Sequence, residues 1–471
     1  MKIAVIGAGY VGLVSAACFA ELGHEVITVD NDLEKVKLLM VGHVPIHESL
    51  LPELVHRHIG NRLRFSDDIV AAVHASDAVF ITVGTPPSPT GEADLSYVEC
   101  VAREVACALN GPKVIVEKST VPVRTCEALK RSMLLNGADR NSFAIASNPE
   151  FLREGTAVQD FLYPDRIVIG VDCKYSAEAL KEIYAPLTDG SYYKREGAIP
   201  GPWNRPAKLI VTSVKSAELI KHASNAFLAM KISFINAVAN ICEGVGADVR
   251  QVCEGIGSDT RIGSKFLVPG IGYGGSCFPK DVLAFRSVAT AVGYEFELLS
   301  AVMAVNEEQR ERFVDKVREA MWTLRGKRLA VLGLAFKGGT DDIRDSPALE
   351  IVKRLAEEGA FIVAFDPAAM ARAASQLSGL LNVSFVKSAF EACQGSDALL
   401  ILTEWQEFKT MDLQEVRKTL RLPIVIDGRN LLIAEEVEAA GLAYYSMGRQ
   451  ATHDHPASRV AAIAQAASAS L

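Results

Sequence analysis

Short apolar runs alternate with helical stretches through the first part of this 471-residue chain. Six of these runs, each ending near a glycine or a polar loop, read KIAVIG, EVITVD, AVFITVG, KVIVEKS, FAIASNPE and RIVIG. The alternation is typical of a parallel β-sheet covered by helices on both faces. Open sheets of this type bind ligands beyond the carboxyl ends of their strands, where these loops would lie. The pattern therefore predicts an α/β fold with a ligand site along one edge.

A second α/β unit begins at RLAVLGLAFK and continues through FIVAFD, ALLILTEW and PIVIDGRN, with a helix predicted over 346–358. Between the units, residues 213–244 contain no proline and repeat Ala, Leu and Ile at spacings of three and four. Such a helix would be on the order of 45 to 50 Å long. We predict that it joins an N-terminal Rossmann-type domain to a C-terminal Rossmann-like α/β domain and also forms a dimer contact. Residues 190–206, rich in Gly, Pro and aromatic residues, are predicted to be a surface loop.

The strand KIAVI runs into a glycine-rich turn that opens a helix. The turn reads Gly7-Ala8-Gly9-Tyr10-Val11-Gly12. This spacing fits the dinucleotide fingerprint, in which glycines let the backbone approach a pyrophosphate held at a positive helix N-terminus. Asp30 closes the second strand, where its carboxylate can accept hydrogen bonds from a ribose diol. A carboxylate there would repel a 2′-phosphate, so NAD is favoured over NADP.

Composition and charge exclude several classes of protein. The net charge of −8 argues against a general nucleic-acid binder. Nine cysteines without a CxxC pair suggest neither a disulfide framework nor a metal site, and they favour the reducing cytoplasm. Residues 3–20 carry no charge and superficially resemble a signal peptide, but the three glycines of the turn lie inside that run. We expect no nucleic acid, metal or membrane partner.

The segment GGSCFPKD, residues 274–281, carries the strongest chemical signal. Pro279 suits the first turn of a helix and would place Cys277 at the positive N-terminal end of that helix. Thiolates are stabilised in that position, and Lys280 adds a nearby cation. Asp281 follows and can assist proton transfer. An isolated free cysteine is usually a small core residue, and the other eight cysteines are interpreted in that way.

Lys221 and Asn225 lie four residues apart in the long predicted helix, and hence on one face of it. A cation beside an amide donor can stabilise a developing oxyanion. On spacing alone, Lys221 would be read as an ordinary solvated lysine.

Together these motifs resemble the UDP-glucose 6-dehydrogenase family, within the wider nucleotide-sugar dehydrogenases. The resemblance extends to about residue 448. Besides the glycine turn with Asp30, it rests on VGTPP (83–87), KSTVP (118–122), NPEFLREG (148–155), AELIKHASNAFLAMKISFINA around Lys221, FLVPGIGYGGSCFPKD ending at Asp281, AFKGGTDDIRDSP (335–347) and DGRN from Asp427.

The resemblance implies roles for individual residues. Positions that contact NAD match the glycine turn (Gly7, Gly9, Tyr10, Val11, Gly12) and Asp30, Lys35, Thr85, Thr120, Glu154, Lys280 and Arg344. Positions that hold the nucleotide sugar match Phe151, Leu152, Arg153, Glu154, Lys221, Asn225, Arg261, Phe266, Leu267, Val268, Pro269, Gly270, Gly274, Lys337 and Arg429. In the family, the position of Arg261 can reach across a dimer interface. Catalytic positions match Cys277, Lys221, Asn225, Asp281, Glu150 and Thr120.

The resemblance also implies a reaction and a domain plan. Two NAD-dependent oxidations of UDP-glucose would pass through a thiohemiacetal and a thioester on Cys277 to the uronate. The expected domains are 1–207 (NAD-binding), 208–310 (a central helical dimerisation region with catalytic residues), 311–449 (UDP-sugar-binding) and a flexible tail, 450–471. A cytoplasmic homodimer formed through the central helix is expected.

Three alternatives remain open at this point. A sister enzyme acting on GDP-mannose or a UDP-N-acetylhexosamine would share Cys277, Lys221 and the glycine turn, although FLVPGIGYGG favours the UDP-glucose branch. A β-hydroxyacid dehydrogenase of the 6-phosphogluconate type would not need the cysteine. A nucleotide-sugar-binding protein without chemistry would bind its ligand but would not reduce NAD.

Overall fold

A computed structural model describes residues 1–86, 88 and 93–451 of the chain. Pro87 of the VGTPP motif and residues 452–471, which make up nearly all of the predicted flexible tail, lie outside the described residues. The described residues form two compact units: the first spans 1–227 and 280–296, and the second spans 228–279 and 297 to the end of the described residues. Each unit is built around its own sheet.

The first unit contains an eight-stranded sheet in the order β3-β2-β1-β4-β5-β6-β7-β8. Its strands are β1 (Lys2–Ile6), β2 (Glu25–Val29), β3 (Leu63–Ser66), β4 (Ala78–Ile81), β5 (Lys113–Glu117), β6 (Phe143–Ser147), β7 (Arg166–Val171) and β8 (Lys208–Thr212). Its helices are α1 (Tyr10–Glu21), α2 (Leu33–Met40), α3 (Leu51–His58), α4 (Ile69–His74), α5 (Ser96–Cys107), α6 (Thr125–Leu135), α7 (Ala157–Leu162) and α8 (Lys174–Thr188).

Strand β1 shows how this sheet is covered. Ile3 and Val5 pack in one apolar cluster, whereas Ala4 and Ile6 pack in another. Because successive side chains of a strand point to opposite faces, helices cover both faces of the sheet. The α/β fold predicted from the sequence is confirmed.

Four further helices are α9 (Val214–Val245), α10 (Val249–Gly257), α11 (Phe278–Ala291) and α12 (Glu297–Met321). The long helix predicted over 213–244 is thus present as α9, displaced by one residue at each end. Among the described helices, α9 is long and apolar enough to cross a membrane by length and composition. Four of its polar side chains are buried, which is typical of a helix that packs inside a protein core: Glu218, Lys221, Asn225 and Asn236.

The second unit contains a six-stranded parallel sheet in the order β11-β10-β9-β12-β13-β14. Its strands are β9 (Arg328–Leu332), β10 (Phe361–Phe365), β11 (Val383–Phe385), β12 (Ala398–Ile401), β13 (Ile424–Asp427) and β14 (Ala443–Ser446). Its remaining helices are α13 (Pro347–Glu357), α14 (Met370–Gln376), α15 (Ala389–Cys393), α16 (Gln406–Lys409), α17 (Leu413–Thr419) and α18 (Ala434–Ala439).

Two details differ from the sequence-based expectations. Strand β7 pairs antiparallel with β6, so the first sheet is not wholly parallel. An antiparallel neighbour needs no full crossover, and the short helix α7 is the helix between these strands. The predicted surface loop 190–206 contains a 3₁₀ turn (Tyr192–Lys194), and its Tyr192 and Ile199 are buried. That segment therefore contributes to the core as well as to the surface.

The predicted domain boundaries stay a prediction. Strand β8 extends the first sheet beyond residue 207, and helix α12 runs through residue 310.

Candidate active site

The turn after β1 has the geometry of a dinucleotide cradle. Gly7 has a φ of +104°, which favours glycine, and a Cβ on Gly12 would lie 1.8 Å from the Gly7 carbonyl oxygen. A Cβ built on Gly9, by contrast, meets no described atom within 4 Å. Gly9 directly precedes α1, so the open space lies at the positive helix N-terminus. The turn therefore fits a pyrophosphate.

Asp30 lies at the end of β2, beside this turn. Its Oδ2 accepts a hydrogen bond from the Ala8 amide at 2.7 Å, and the Lys35 ammonium lies 3.1 Å from the same oxygen. The Asp32 amide donates to Oδ1 at 3.0 Å. These contacts fix the carboxylate next to the turn, where it can accept from a ribose diol. The predicted pairing of the turn with Asp30 is thus present.

Glu48 links the glycine turn to the NPEFLREG loop, and the sequence analysis missed it. The Tyr10 hydroxyl donates to Glu48, and the Gly155 amide donates to the same carboxylate oxygen at 2.7 Å. The Ala157 amide donates to the other oxygen at 2.8 Å. Glu48 is buried in a stretch without a recognisable motif, so spacing offered no signal for it.

Three predicted residues from distant parts of the sequence form a chain of hydrogen bonds. The Lys280 ammonium donates to Thr85 Oγ1 at 3.0 Å, and Thr85 Oγ1 donates to the Thr120 carbonyl at 2.9 Å. Thr85 is buried, and Lys280 lies in the first turn of α11. The contact brings Lys280 into the loops that follow β4 and β5, and its role in binding NAD stays a prediction.

Lys221 forms a buried ion pair with Glu150. The ammonium donates to Glu150 Oε1 at 2.8 Å, and both side chains are 4% exposed. The Leu152 amide donates to the other carboxylate oxygen at 2.5 Å. Burial opposes ionisation of Glu150, but the charge and hydrogen bond of Lys221, the Leu152 amide and the Lys118 charge together outweigh it and lower the pKa of the carboxyl group. Lys221 is therefore a buried cation and not a solvated lysine.

Asn225 faces Asp281 one turn further along α9. The Asn225 amide nitrogen donates to Asp281 Oδ2 at 2.5 Å. Asp281 is 1% exposed, and its Oδ1 accepts no hydrogen bond within the described part of the chain, although the Lys280 ammonium lies 3.9 Å away. A buried carboxylate oxygen with spare acceptor capacity can hold a water molecule or take a proton.

Cys277 directly precedes the first residue of α11 and is partly exposed. Its sulfur lies 3.5 Å from Ser276 Oγ. The predicted placement at a helix N-terminus is present, with Pro279 in the first turn. This position favours the thiolate.

In the second unit, the segment 266–274 packs too tightly for larger residues at two of its glycines. A Cβ on Gly274 would lie 2.1 Å from the Asp345 carbonyl oxygen, and one on Gly270 would lie 2.8 Å from the Gly428 carbonyl oxygen. Phe266 has a φ of +68°, in the left-handed region. Leu267 is buried, whereas Val268 is 64% exposed. The backbone of this loop is therefore closely packed, and the apolar side chain of Val268 faces outward.

Two asparagines that the sequence analysis did not assign hold this loop. Asn236 accepts from the Gly270 amide at 2.8 Å, and Asn306 accepts from the Tyr273 amide at 2.8 Å. Each of them contacts a loop distant in sequence, so no local spacing marked it.

Arg429 lies against the same loop and donates to the Gly272 carbonyl at 3.3 Å. Its guanidinium donates to the carbonyls of Leu402 at 2.8 Å and Phe336 at 2.9 Å, and it contacts Glu404 at 3.3 Å. The Lys337 ammonium lies 5.5 Å from the centre of the Phe336 ring. The second unit thus brings Arg429 and Lys337 to one region.

The remaining predicted arginines are more exposed. Arg261 pairs with Asp259 of the same turn and is 87% exposed, and Arg344 pairs with Asp342. The Arg344 carbonyl accepts from the Gly275 amide at 3.0 Å, close in sequence to Cys277. Arg153 pairs with Asp160.

The fold and these groups define a dinucleotide-binding α/β protein with a cysteine at a helix N-terminus. Residues 1–188 match the NAD binding domain of the UDP-glucose/GDP-mannose dehydrogenase family, residues 215–308 its central domain and residues 330–434 its UDP binding domain. The chain belongs to the UDP-glucose/GDP-mannose dehydrogenase family. The resemblance seen in the sequence and the expected NAD cofactor are confirmed.

Similar proteins cover nearly the whole chain. The UDP-glucose 6-dehydrogenase TuaD of Bacillus subtilis is 47% identical over 451 residues, 96% of this chain and 94% of its own length. A UDP-glucose dehydrogenase structure from Pyrobaculum islandicum is 38% identical with a TM-score of 0.84, covering 95% of this chain and 97% of its own. A UDP-D-ManNAc dehydrogenase structure from Pyrococcus horikoshii is 27% identical with a TM-score of 0.81, covering 95% and 99%.

Proposed function

We propose that this protein oxidises UDP-glucose to UDP-glucuronate, consuming two NAD and one water and releasing two NADH and three protons. The observation that carries the proposal is Cys277 at the N-terminus of α11, in a chain that also has a dinucleotide turn. Simple alcohol dehydrogenation needs no cysteine, whereas oxidation beyond the aldehyde is well served by covalent capture. The high identity to TuaD over nearly the full length supports UDP-glucose as the substrate.

Binding of the cofactor falls to the first unit. The turn from Gly7 to Gly12 would hold the pyrophosphate and Asp30 the ribose, and we assign Thr85, Lys35 and Lys280 to the same role. Bound NAD supplies the acceptor for the electrons that leave the sugar C6 in each oxidation. Arg344, Glu154 and Thr120 are also assigned to this side.

In the first oxidation the C6 hydroxyl loses its proton and C6 loses a hydrogen with its electron pair, so that the alcohol becomes an aldehyde. Asp281 Oδ1 has the spare acceptor capacity to receive that proton, directly or through water. The Lys221 ammonium and the Asn225 amide are donors that stabilise negative charge on the C6 oxygen.

In the second oxidation the Cys277 thiolate attacks the aldehyde. A carbon–sulfur bond forms, and the carbonyl oxygen becomes an oxyanion held by Lys221 and Asn225. Loss of the C6 hydrogen with its electron pair then gives a thioester.

Hydrolysis completes the reaction. A water molecule positioned by Asp281, Glu150 and Thr120 adds to the thioester carbon, and Asp281 takes a proton from it. The carbon–sulfur bond breaks, so the thiolate is regenerated and the uronate is released.

The deciding measurement is the number of NADH formed per UDP-glucose consumed, for the native protein and for Cys277→Ser. Two NADH, with turnover lost in the variant, is the expected result. One NADH, or a variant of native activity, would refute the thioester route.

The sugar nucleotide is tested with GDP-mannose and UDP-N-acetylglucosamine as parallel substrates. Similarity in fold to the UDP-D-ManNAc enzyme makes an N-acetylhexosamine substrate the second candidate. Turnover of one of these alone would replace UDP-glucose. Binding of UDP-sugar without NADH formation would identify a binding protein instead.

We also propose a homodimer formed through α9. Phe227, Phe234 and Ile241 recur every seventh residue on this helix and are 59%, 57% and 63% exposed. A stripe of that kind normally needs a partner. Light scattering after size exclusion should give twice the chain mass for the native protein, and Phe234→Glu should give the single mass. A native monomer at micromolar concentration would contradict the dimer.

For the domain plan we propose that residues 1–207 bind NAD, 208–310 carry catalytic groups, and 311–449 bind the UDP moiety. The assignment of UDP binding to residues 311–449 is tested by letting UDP compete with UDP-glucose for the Arg429→Ala variant in a binding titration. We further propose a cytoplasmic location, because the described residues include all nine cysteines and contain no disulfide bond. Fractionation of cells expressing the chain would test this.

A further inference from the structure

Lys118 is a buried cation that the mechanism above does not use. It follows the last residue of β5, and only 3% of it is exposed. Its ammonium donates to Asn148 Oδ1 at 3.0 Å and lies 3.5 Å from the Tyr184 hydroxyl. The Phe161 ring stands 5.6 Å away. Among the described residues it has no carboxylate at ion-pair distance, which is costly for a charge out of water.

Asn148 connects Lys118 to the NPEFLREG loop, which carries Glu150. Its amide nitrogen donates to the Val168 carbonyl at 2.8 Å, and its oxygen also accepts from Tyr184 at 2.5 Å. It lies two residues before Glu150, whose carboxylate pairs with Lys221. Lys118 itself lies two residues before Thr120. One ammonium thus fixes the segments that carry Glu150 and Thr120.

The charges around this group do not balance. Glu150 is one buried carboxylate, and Lys221 and Lys118 are two buried ammoniums that both act on it. The other titratable groups facing Lys118 are the Cys18 thiol and the Tyr184 hydroxyl. Burial raises the pKa of each of these two groups, so both are neutral at pH 7. The buried set therefore carries a net positive charge.

We propose that Lys118 is a positioning residue for the oxidation. It holds the loop that carries Glu150 through Asn148, adds to the effect of Lys221 on the ionised Glu150, and leaves a positive field that favours negative charge on the substrate oxygen. This inference rests on the proposed function and adds an electrostatic role for a residue that touches neither substrate nor cofactor.

The proton of Lys118 is unusually easy to lose. Burial lowers the pKa of Lys118 to about 8, although Glu150 opposes that shift. In the native protein, the positive field should therefore weaken as the pH rises through about 8. Arginine at this position would stay charged, because the guanidinium does not titrate in this range.

The test compares pH profiles of NADH formation from UDP-glucose for the native protein, Lys118→Gln and Lys118→Arg. Glutamine keeps a donor for Asn148 but lacks the charge. We expect the acid limb of its pH profile to move up, because Glu150 loses a favourable charge, but by less than removal of the Lys221 charge would move it. We expect Lys118→Arg to keep the native acid limb and to lack the native decline near pH 8.

Lys113 provides a matched control. It is a buried lysine at the start of β5 that donates to the Ser76 carbonyl at 2.6 Å, and burial lowers its pKa as well. It lies about 16 Å along the strand from Lys118. Lys113→Gln should keep the native profile. A purely structural role for Lys118 would lower activity equally at every pH.

A readout without substrate or cofactor is the melting temperature. The folded-state pKa of Lys118 lies below that of the unfolded chain, so stability rises as the pH increases from about 8 to the ordinary lysine value. The native protein should therefore gain stability over Lys118→Gln across that range.

The outcomes are distinct. An unchanged acid limb in Lys118→Gln would overturn the inference. If that variant fails to melt cooperatively, Lys118→Arg decides, and a retained decline near pH 8 would overturn it. Failure of the native protein to oxidise UDP-glucose would instead refute the proposed function.

Discussion

The turns after β1 and β9 begin alike and end differently. Gly7 donates to the Val29 carbonyl at 2.7 Å, and Gly333 donates to the Phe365 carbonyl at 2.8 Å. Both glycines have positive φ, +104° and +97°. An aspartate closes the next strand in each sheet, Asp30 in the first. The two sheets also share the same relative strand order over six strands.

Beyond the first glycine the two turns diverge. In the first unit, Gly9 leaves open space at the start of α1. In the second, Leu334 and Ala335 follow Gly333, and both amides donate to Asp366. The Ala368 and Ala369 amides and the Trp405 indole also donate to that carboxylate. One architecture therefore serves twice: Asp366 is used for structure, whereas Asp30 is the aspartate for which we propose a ligand-binding role.

Among the changes that test this comparison of the two turns, substitution of Gly12 should have the largest effect on stability. In Gly12→Ala the new Cβ would lie 1.8 Å from a backbone oxygen, so the turn must open and the first unit should lose several kcal/mol. Gly9→Ala should fold normally but bind NAD at least tenfold more weakly, because its Cβ takes the open space. Melting curves and NAD titration measure the two effects. Native NAD affinity in Gly9→Ala would remove the cradle assignment.

The second-largest effects are expected for Asp30 and Asp366, the aspartates that follow the second strand of each sheet order. Asp30→Asn should weaken NAD binding by about tenfold with little loss of stability, since its ligand contacts are worth roughly 1 to 2 kcal/mol. Asp366→Asn should leave NAD affinity unchanged but cost about 2 to 3 kcal/mol of unfolding free energy, because several buried donors lose an anion. Chemical denaturation and titration of both variants test the contrast. Equal effects on NAD affinity would refute it.

A third prediction concerns Glu117 and Asp427, the last residues of the corresponding strands β5 and β13. Burial raises the pKa of Glu117 to about 8, and it also raises the pKa of Asp427. Asp427 accepts from two backbone amides and Tyr444, whereas Glu117 Oε2 has no hydrogen bond within the described residues.

The folded state holds the Glu117 proton more tightly than the unfolded chain. The resulting stability is full below about pH 4.5 and is lost as the pH rises to about 8, at about 1.4 kcal/mol per unit. Glu117→Gln should remove this pH dependence of the unfolding free energy. Asp427→Asn should mainly lower the unfolding free energy itself. Denaturation at pH 5 and pH 7.5 checks both. A native slope retained in Glu117→Gln would contradict the assignment.

The smallest effect is expected for Lys35. Its side chain is 29% exposed and its ammonium pairs with Asp30 at 3.1 Å, so solvent screens the interaction. Lys35→Met should change stability by less than about 1 kcal/mol and NAD affinity by about two- to threefold. A tenfold loss would show that Lys35 contacts the cofactor strongly.

Much of the fold was readable from the sequence. The six apolar runs of the first unit, the four of the second and helix α9 all occur where the pattern placed them. The missed strands β3, β8, β11 and β14 are the edge strands of the two sheets. Such strands form because a partner is already in place, so their own residues carry little signal.

The site was readable in part. The four-residue spacing of Lys221 and Asn225 predicted one helix face, and these side chains contact Glu150 and Asp281 within the first unit. Their catalytic roles stay predictions. Glu48 and the contact of Lys118 with Asn148 were not foreseen, because no local spacing marks a contact between distant segments.

The sequence by itself determined the glycine turn, the cysteine before a proline-containing helix start, and the family, because each depends on residues that are close along the chain. Tertiary structure alone decided which charges meet. Glu150 comes from the loop after β6 and Lys221 from α9, and strand pairing brings Asn148 to Lys118. Whether each of these groups is ionised depends on its burial and on its neighbours, and neither can be derived from spacing.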